Sequence, residues 1–231
     1  MKADAHDPGL STAPALTNAA VALEGVGAGV LAFMIVAAGI LAERYALHDA
    51  AFIVPVTAMA GAYSFIALAA LFGARARCLF NPAVAFARVL RGDLPLAAGL
   101  ICAAAQIMGA GAGVVAAHFA TGTGLIQNAS LHHAGAAVWG GEAAATAAFI
   151  VAVLFLEKRG RYIAAFVGTA IMFIAAAVTP SVSFANPALT LARSLTETFM
   201  SIALTDAVII ALVQFAAAGL GVFALQRLKR A

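Results

Sequence analysis

The chain has 231 residues, 64% of them hydrophobic and only 10% charged, with a formal charge of +3 and a mean hydropathy of +1.02. A soluble domain carries about 25% charged residues, so the composition excludes a water-soluble globular protein and belongs in a bilayer. Two cysteines, Cys78 and Cys102, cannot build a disulfide framework, and nothing in the pattern indicates a structural metal or a cofactor.

Residues 1 to 18 mix Asp4, His6, Asp7, Pro8, Ser11, Thr12 and Pro14 and read as a disordered tail. The tail lacks a basic stretch directly before an apolar core, so no cleaved signal peptide is expected. Six apolar segments follow at 20–42, 49–72, 95–118, 138–157, 161–179 and 203–226. Each is near the roughly 20 residues that cross a bilayer as a helix. Residues 19–228 form one membrane domain, in a first half over 19–120 and a second over 136–228.

Between the second and third segments, and again after the fifth, a short motif recurs: Asn81-Pro82-Ala83 and Asn186-Pro187-Ala188. Asn is a good helix N-cap because its side-chain oxygen accepts an orphan backbone N–H. Pro suits the first helical position, where no N–H is needed. Each helix so started is too short to cross. The bilayer forbids lipid-exposed irregular backbone, so both stretches must be buried in protein or line a watery cavity. An Asn that caps with its oxygen keeps its NH2 group to offer elsewhere.

Basic residues set the orientation. With six spans and a cytoplasmic N-terminus, the inner segments hold Lys2, Arg75, Arg77, Arg88, Arg91, Lys158, Arg159, Arg161, Arg227, Lys229 and Arg230, which is 11 of 13, leaving Arg44 and Arg193 outside. The positive-inside rule favours this arrangement. Other residues recur with the motif. Glu24 and Glu142 lie early in the first and fourth spans, and Gln106 and Gln214 inside the third and sixth. Three spans per half place the second half upside down, an inverted repeat with broken helices meeting near the midplane.

On these residues the chain, from about 20 to 227, resembles the major intrinsic protein family of aquaporins and aquaglyceroporins. The stretch Ser183 to Leu195 is more closely similar to bacterial aquaglyceroporins associated with arsenic resistance. The resemblance implies an all-α membrane protein with six transmembrane helices and two re-entrant half-helices. It implies a homotetramer in the inner membrane, with cytoplasmic termini, acting as a passive channel and not as an enzyme. Asn81 and Asn186 would then hold the passing solute at the positive ends of two helix dipoles. Glu24, Glu142, Gln106 and Gln214 would support the loops. Cys78, three residues before Asn81, is a candidate for the lumen.

Two departures from the family pattern stand out. Where members commonly carry Gly-Ala-His or similar before the first motif, this chain reads Arg77-Cys78-Leu79-Phe80. Where water- and glycerol-type members usually carry Arg after the second motif, this chain has Leu189. Counting from the motifs places the constriction at Gly61, Ile174, Ser183 and Leu189, wide and mostly apolar. Arg193, one helical turn beyond Leu189, could reach back towards it or serve a structural role shared with Arg88 at the C-terminal end of a half-helix. The expected permeants are small neutral solutes: glycerol-type polyols and undissociated arsenite, with water a further candidate. The alternatives are a water-selective aquaporin, a secondary transporter using Glu24 and Glu142, or a non-conducting scaffold. His132 and His133 read as solvated loop residues with no carboxylate nearby in sequence.

Overall fold

The computed structural model describes residues 17–46, 49–73, 75–77 and 79–228. The expected tail up to residue 16, the terminal Lys229 and Arg230, and Cys78 lie outside the described residues. Among the described residues six helices are long and apolar enough to cross a membrane: α1 (Asn18–Ala46), α2 (Ala50–Phe72), α4 (Leu96–Thr121), α5 (Ala136–Leu156), α6 (Arg161–Val178) and α8 (Leu204–Leu228). Two short ones complete the set, α3 (Pro82–Leu90) and α7 (Pro187–Ala192), the latter continued by one 3-10 turn at Arg193–Leu195. At 1.5 Å per residue, the 9 residues of α3 reach about 14 Å, roughly half the hydrocarbon core.

The packing gives each half the same design. In the first, α1 packs on α2 and α4; in the second, α5 packs on α6 and α8. Helices α2 and α6 join the halves along one side. On the other side α3 and α7 fill the space between α4 and α8, each touching both, and touch one another. The two half-helices are thereby enclosed by the six long ones. All residues of α3 from Pro82 to Ala85 and of α7 from Pro187 to Thr190 are buried.

Small residues permit the closest of these contacts. A Cβ on Gly109 would overlap the carbonyl oxygen of Gly25, and one on Gly113 that of Gly29. Helices α1 and α4 therefore meet backbone to backbone. Apolar side chains gain little from each other in lipid, so such close van der Waals packing is what holds membrane helices together.

Candidate functional site: two half-helices meeting head to head

Both motifs start helices as their residues dictate. Asn81 and Asn186 hold almost the same extended backbone, φ/ψ of −141/115° and −142/108°. Each Oδ1 accepts the N–H two residues on, at 2.9 Å from Ala83 and 3.0 Å from Ala188. Pro82 and Pro187 occupy the first helical positions. The amide nitrogens then cross over. Asn81 Nδ2 donates to the carbonyl of Ala185 (2.9 Å), and Asn186 Nδ2 to the carbonyl of Phe80 (3.1 Å). The two N-termini are stapled to each other's loops. A primary amide has two N–H groups, so one N–H of each Asn is committed to the staple and the other is left to offer elsewhere.

The loops before the motifs are strained and anchored. Leu79, Phe80, Val182 and Ala185 all have positive φ, between 51° and 58°, a conformation costing of order 1–3 kcal/mol for a non-glycine residue. Surrounding bonds hold them. In the first loop, Phe80 N–H donates to Glu24 Oε2 (2.8 Å), which also accepts from Gln106 Nε2 (2.8 Å). In the second, Ser181 and Ser183 hydroxyls donate to the two oxygens of Glu142 (2.5 and 2.6 Å), and Gln214 Nε2 adds a third bond (2.8 Å). Ser183 N–H donates to Thr179 Oγ1 (2.8 Å) and Ala185 N–H to Ser183 Oγ (3.1 Å). Glu24 and Glu142 are fully buried or nearly so, which is affordable for carboxylates that accept several hydrogen bonds.

The counted constriction does not assemble as counted. Ile174 is 58% exposed, on the outer face of α6 with Phe166. The buried stripe of that helix runs through Gly168, Thr169, Met172, Ala175 and Ala176, and Ile174 lies about 100° per residue away from its neighbours on the stripe. The loop between α6 and α7 is too irregular for counting back from Asn186 to fix that register. Ser183 is buried, but its hydroxyl is turned to Glu142. The next residue, Phe184, goes the other way: its ring and Ile35 stand 3.2 and 3.1 Å from where a Cβ of Gly61 would be. Leu189 is 2% exposed and belongs to the same apolar cluster as Ile35 and Phe184.

The two Arg that follow the motifs have different surroundings. Arg193 is buried; its Nε, Nη1 and Nη2 donate to the carbonyls of Met200 (2.5 Å), Val182 (3.1 Å) and Ser181 (2.9 Å). Its guanidinium lies 5.9 Å from the Phe184 ring centre, so it does reach back over the loop that carries the second motif. Arg88 instead pairs with Glu157 just past α5 (2.7 Å), beside Arg91, which pairs with Glu157 (3.1 Å) and Asp93 (3.0 Å).

His132 is a solvated loop residue as expected, whereas His133 is part-buried, which corrects that reading for it. Asp206, in the first turn of α8, supplies the carboxylate that the local sequence lacks. Its Oδ2 lies 3.0 Å from His132 Nδ1 and accepts His133 N–H at 2.7 Å. Sequence reading also missed Phe184, Thr190 and Ser181.

Six apolar helices around two stapled half-helices define an integral membrane protein of channel type. No family model matches the chain. The aquaglyceroporin AqpS of Rhizobium meliloti (strain 1021) is 33% identical to it over 190 residues, 81% of this chain and 79% of that protein. The chain belongs to the major intrinsic protein family, the aquaporins and aquaglyceroporins.

Proposed function

We propose that this protein is a passive channel for uncharged polyol-type solutes, with glycerol and undissociated arsenite as the permeants of choice and water passing beside them. The observation that carries the reading is the reciprocal Asn staple. It fixes two helix N-termini head to head, and each contributes about half a positive charge. That field repels cations. The second N–H of each Asn stays for the oxygen of a passing solute, which orients it and interrupts any donor–acceptor chain that could carry protons. Glu24 and Glu142 are supports in this scheme: their oxygens are engaged with loop groups and the paired Gln.

The filter, on this reading, is apolar and built by Gly61, Phe184 and Leu189, with the Arg193 guanidinium above the Phe184 ring. Three of the five N–H groups of Arg193 brace the loop, and two are left for solute. The relative AqpS is named an aquaglyceroporin, which supports solutes larger than water. The first motif would enter from the cytoplasm and the second from outside, with both termini cytoplasmic and four copies forming the homotetramer the family resemblance implies.

Stopped-flow light scattering of proteoliposomes, with water, glycerol, urea and arsenite compared side by side, tests the reading. Non-saturating glycerol and arsenite flux, independent of ion gradients, is expected. Saturable or gradient-driven flux would replace the channel with a transporter, and flux of water alone would replace the polyol reading with a water-selective one.

A further inference from the structure

Next to Arg193 two polar atoms are enclosed with no hydrogen-bond partner among the described residues: Nε2 of His133 and Oγ of Ser201. Ser201 is only 1% exposed. Leaving a buried polar group unsatisfied costs about 1–3 kcal/mol, and such atoms in a folded protein usually mark the place of a water or a ligand. The two residues are neighbours. Segment 200–203 is tied to Arg193 on one side, through Arg193 Nε to the Met200 carbonyl and Ile202 N–H to the Arg193 carbonyl (3.3 Å). On the other it is tied to the loop before α5, through Ala203 N–H to the Leu131 carbonyl (2.8 Å). Asp206 then fixes the backbone of His133. The Ser201 carbonyl stands close enough to the His133 ring to favour its protonation, and Arg193 close enough to oppose it.

We propose that His133 and Ser201 form a polar station at the Arg193 end of the pore, where an uncharged solute with two or more hydroxyl groups exchanges hydration water for protein hydrogen bonds before meeting the Asn pair. This rests on the channel reading above. A neutral imidazole can accept a solute hydroxyl at one ring nitrogen and donate at the other, and a serine hydroxyl does both. Arg193 can only donate. Together they match a polyol, which also donates and accepts, better than an apolar filter alone does.

The station needs its histidine neutral. Burial, then the charge of Arg193, lowers the His133 pKa below the ordinary 6.5, and the Ser201 carbonyl, Asp206 and Glu142 offset this in part. His132, on the same Asp206, is the other titratable neighbour. Neutral imidazole therefore prevails at pH 7, and acid converts an acceptor into a second donor cation beside Arg193.

The test uses the full-length protein in proteoliposomes, with glycerol and water as probes. Ser201→Ala and His133→Leu should each lower glycerol permeability about two- to tenfold, the worth of one hydrogen bond, and change water permeability less. His133→Asn, which keeps a donor and an acceptor, should retain most of the glycerol flux. Wild-type glycerol flux should hold near pH 7 and fall as the pH drops below the ordinary histidine value of 6.5, where the lowered His133 pKa lets the ring gain its charge, and His133→Asn should flatten that profile. An unchanged glycerol-to-water ratio in both Ser201→Ala and His133→Leu, or a pH profile that persists in His133→Asn, overturns the station while leaving the channel intact. A wild-type protein that passes water but no glycerol overturns the polyol reading and the station with it.

Discussion

The two loops that carry the Asn-Pro-Ala motifs solve one problem in two ways. Both must hold residues with positive φ and irregular backbone inside a membrane domain. The first does so chiefly from the side: Glu24, held by Gln106, accepts the Phe80 N–H, the Phe80 ring fills the space beside Gly27, and Arg88 leaves the loop for an ion pair with Glu157. The second keeps the Glu and Gln support, with Ser181 and Ser183 hydroxyls donating to Glu142 beside Gln214, and adds bonds from within: Ser183 N–H to Thr179, Ala185 N–H to Ser183, and Arg193 tying three carbonyls together. The lesson is that both halves keep the head-to-head Asn geometry and the Glu–Gln support, while the second loop alone is also braced by its own Ser and Thr and by an Arg.

The sharpest way to break that comparison is to remove the two Arg in turn. Arg193→Leu strands the carbonyls of Ser181, Val182 and Met200 in a buried site. At about 1–3 kcal/mol for each unsatisfied group, with some relaxation, the loss should be about 3 kcal/mol or more. Arg88→Leu removes a partly exposed pair; exposed pairs are worth about 1 kcal/mol or less, and this partly buried one about 1–2 kcal/mol. Thermal unfolding in detergent measures both. Equal losses would mean that Arg193 is no brace, and its guanidinium would then be assigned to the solute path alone.

The next effect concerns the helices behind the loops. Gly25, Gly29, Gly109 and Gly113 let α1 and α4 touch through backbone. The corresponding residues of α5 and α8, counted from Glu142 and Gln214, are Ala143, Ala147, Ala217 and Gly221. Gly109→Ala drives a methyl into the Gly25 carbonyl and should cost about 1–3 kcal/mol, the usual penalty of overpacking. Gly221→Ala meets Ile150 Cγ2 at 3.2 Å and the Ala147 carbonyl at 3.3 Å, which a small adjustment relieves, so its cost should stay under about 1 kcal/mol. A larger loss for Gly221→Ala, read from the same melting curves, would reverse the order of packing tightness between the halves.

A third comparison tests the staple. Asn81→Asp and Asn186→Asp each exchange an N–H donor for a carboxylate oxygen facing a carbonyl. The lost bond leaves that carbonyl unsatisfied, about 1–3 kcal/mol, while an anion at a helix N-terminus recovers about 0.3–2 kcal/mol. Net loss of stability should be about 1 kcal/mol for either. The larger sign is functional: glycerol flux should drop and cation leak appear in both variants. If only one variant leaks, the two motifs are not equivalent barriers to charge.

Much of this was legible in the sequence because it was periodic or paired. The six spans came from hydropathy, with ends within about four residues of the helices. The half-helices came from Asn and Pro at cap positions; the recurrence of Glu and Gln marked the repeat, and their role as loop support came with the family resemblance. The misses lie where local pattern is silent. Ile174 was counted through an irregular loop, and a one-residue error on a helix swings a side chain by about 100°. Phe184 and the direction of the Ser183 hydroxyl depend on positive φ at Val182 and Ala185, which neither residue type announces. Asp206 meets His132 across 74 residues, a contact that only the packed bundle creates.

The smallest effect should come from Thr190, four residues after Asn186 as Ala85 is four after Asn81. In the second half, the Thr190 hydroxyl lies 3.2 Å from Gln214 Oε1 and 3.0 Å from its Nε2, while that Nε2 also donates to Glu142. In the first half, Ala85 has no hydroxyl, and Gln106 Oε1 has no partner among the described residues. Thr190→Ala therefore makes the second half resemble the first. It should cost about 1 kcal/mol, the net value of a buried hydrogen bond, and leave glycerol flux unchanged, because Glu142 still holds Gln214. The reciprocal Ala85→Thr offers Gln106 an O–H but must fit beside Leu94 and Cys102, so the bond gained and the crowding should roughly cancel. Melting temperatures of the two variants and their double mutant decide the matter. Should Thr190→Ala cut glycerol flux without lowering the melting temperature, the hydroxyl faces the solute rather than the scaffold, and the inequality between the halves would belong to the pore itself.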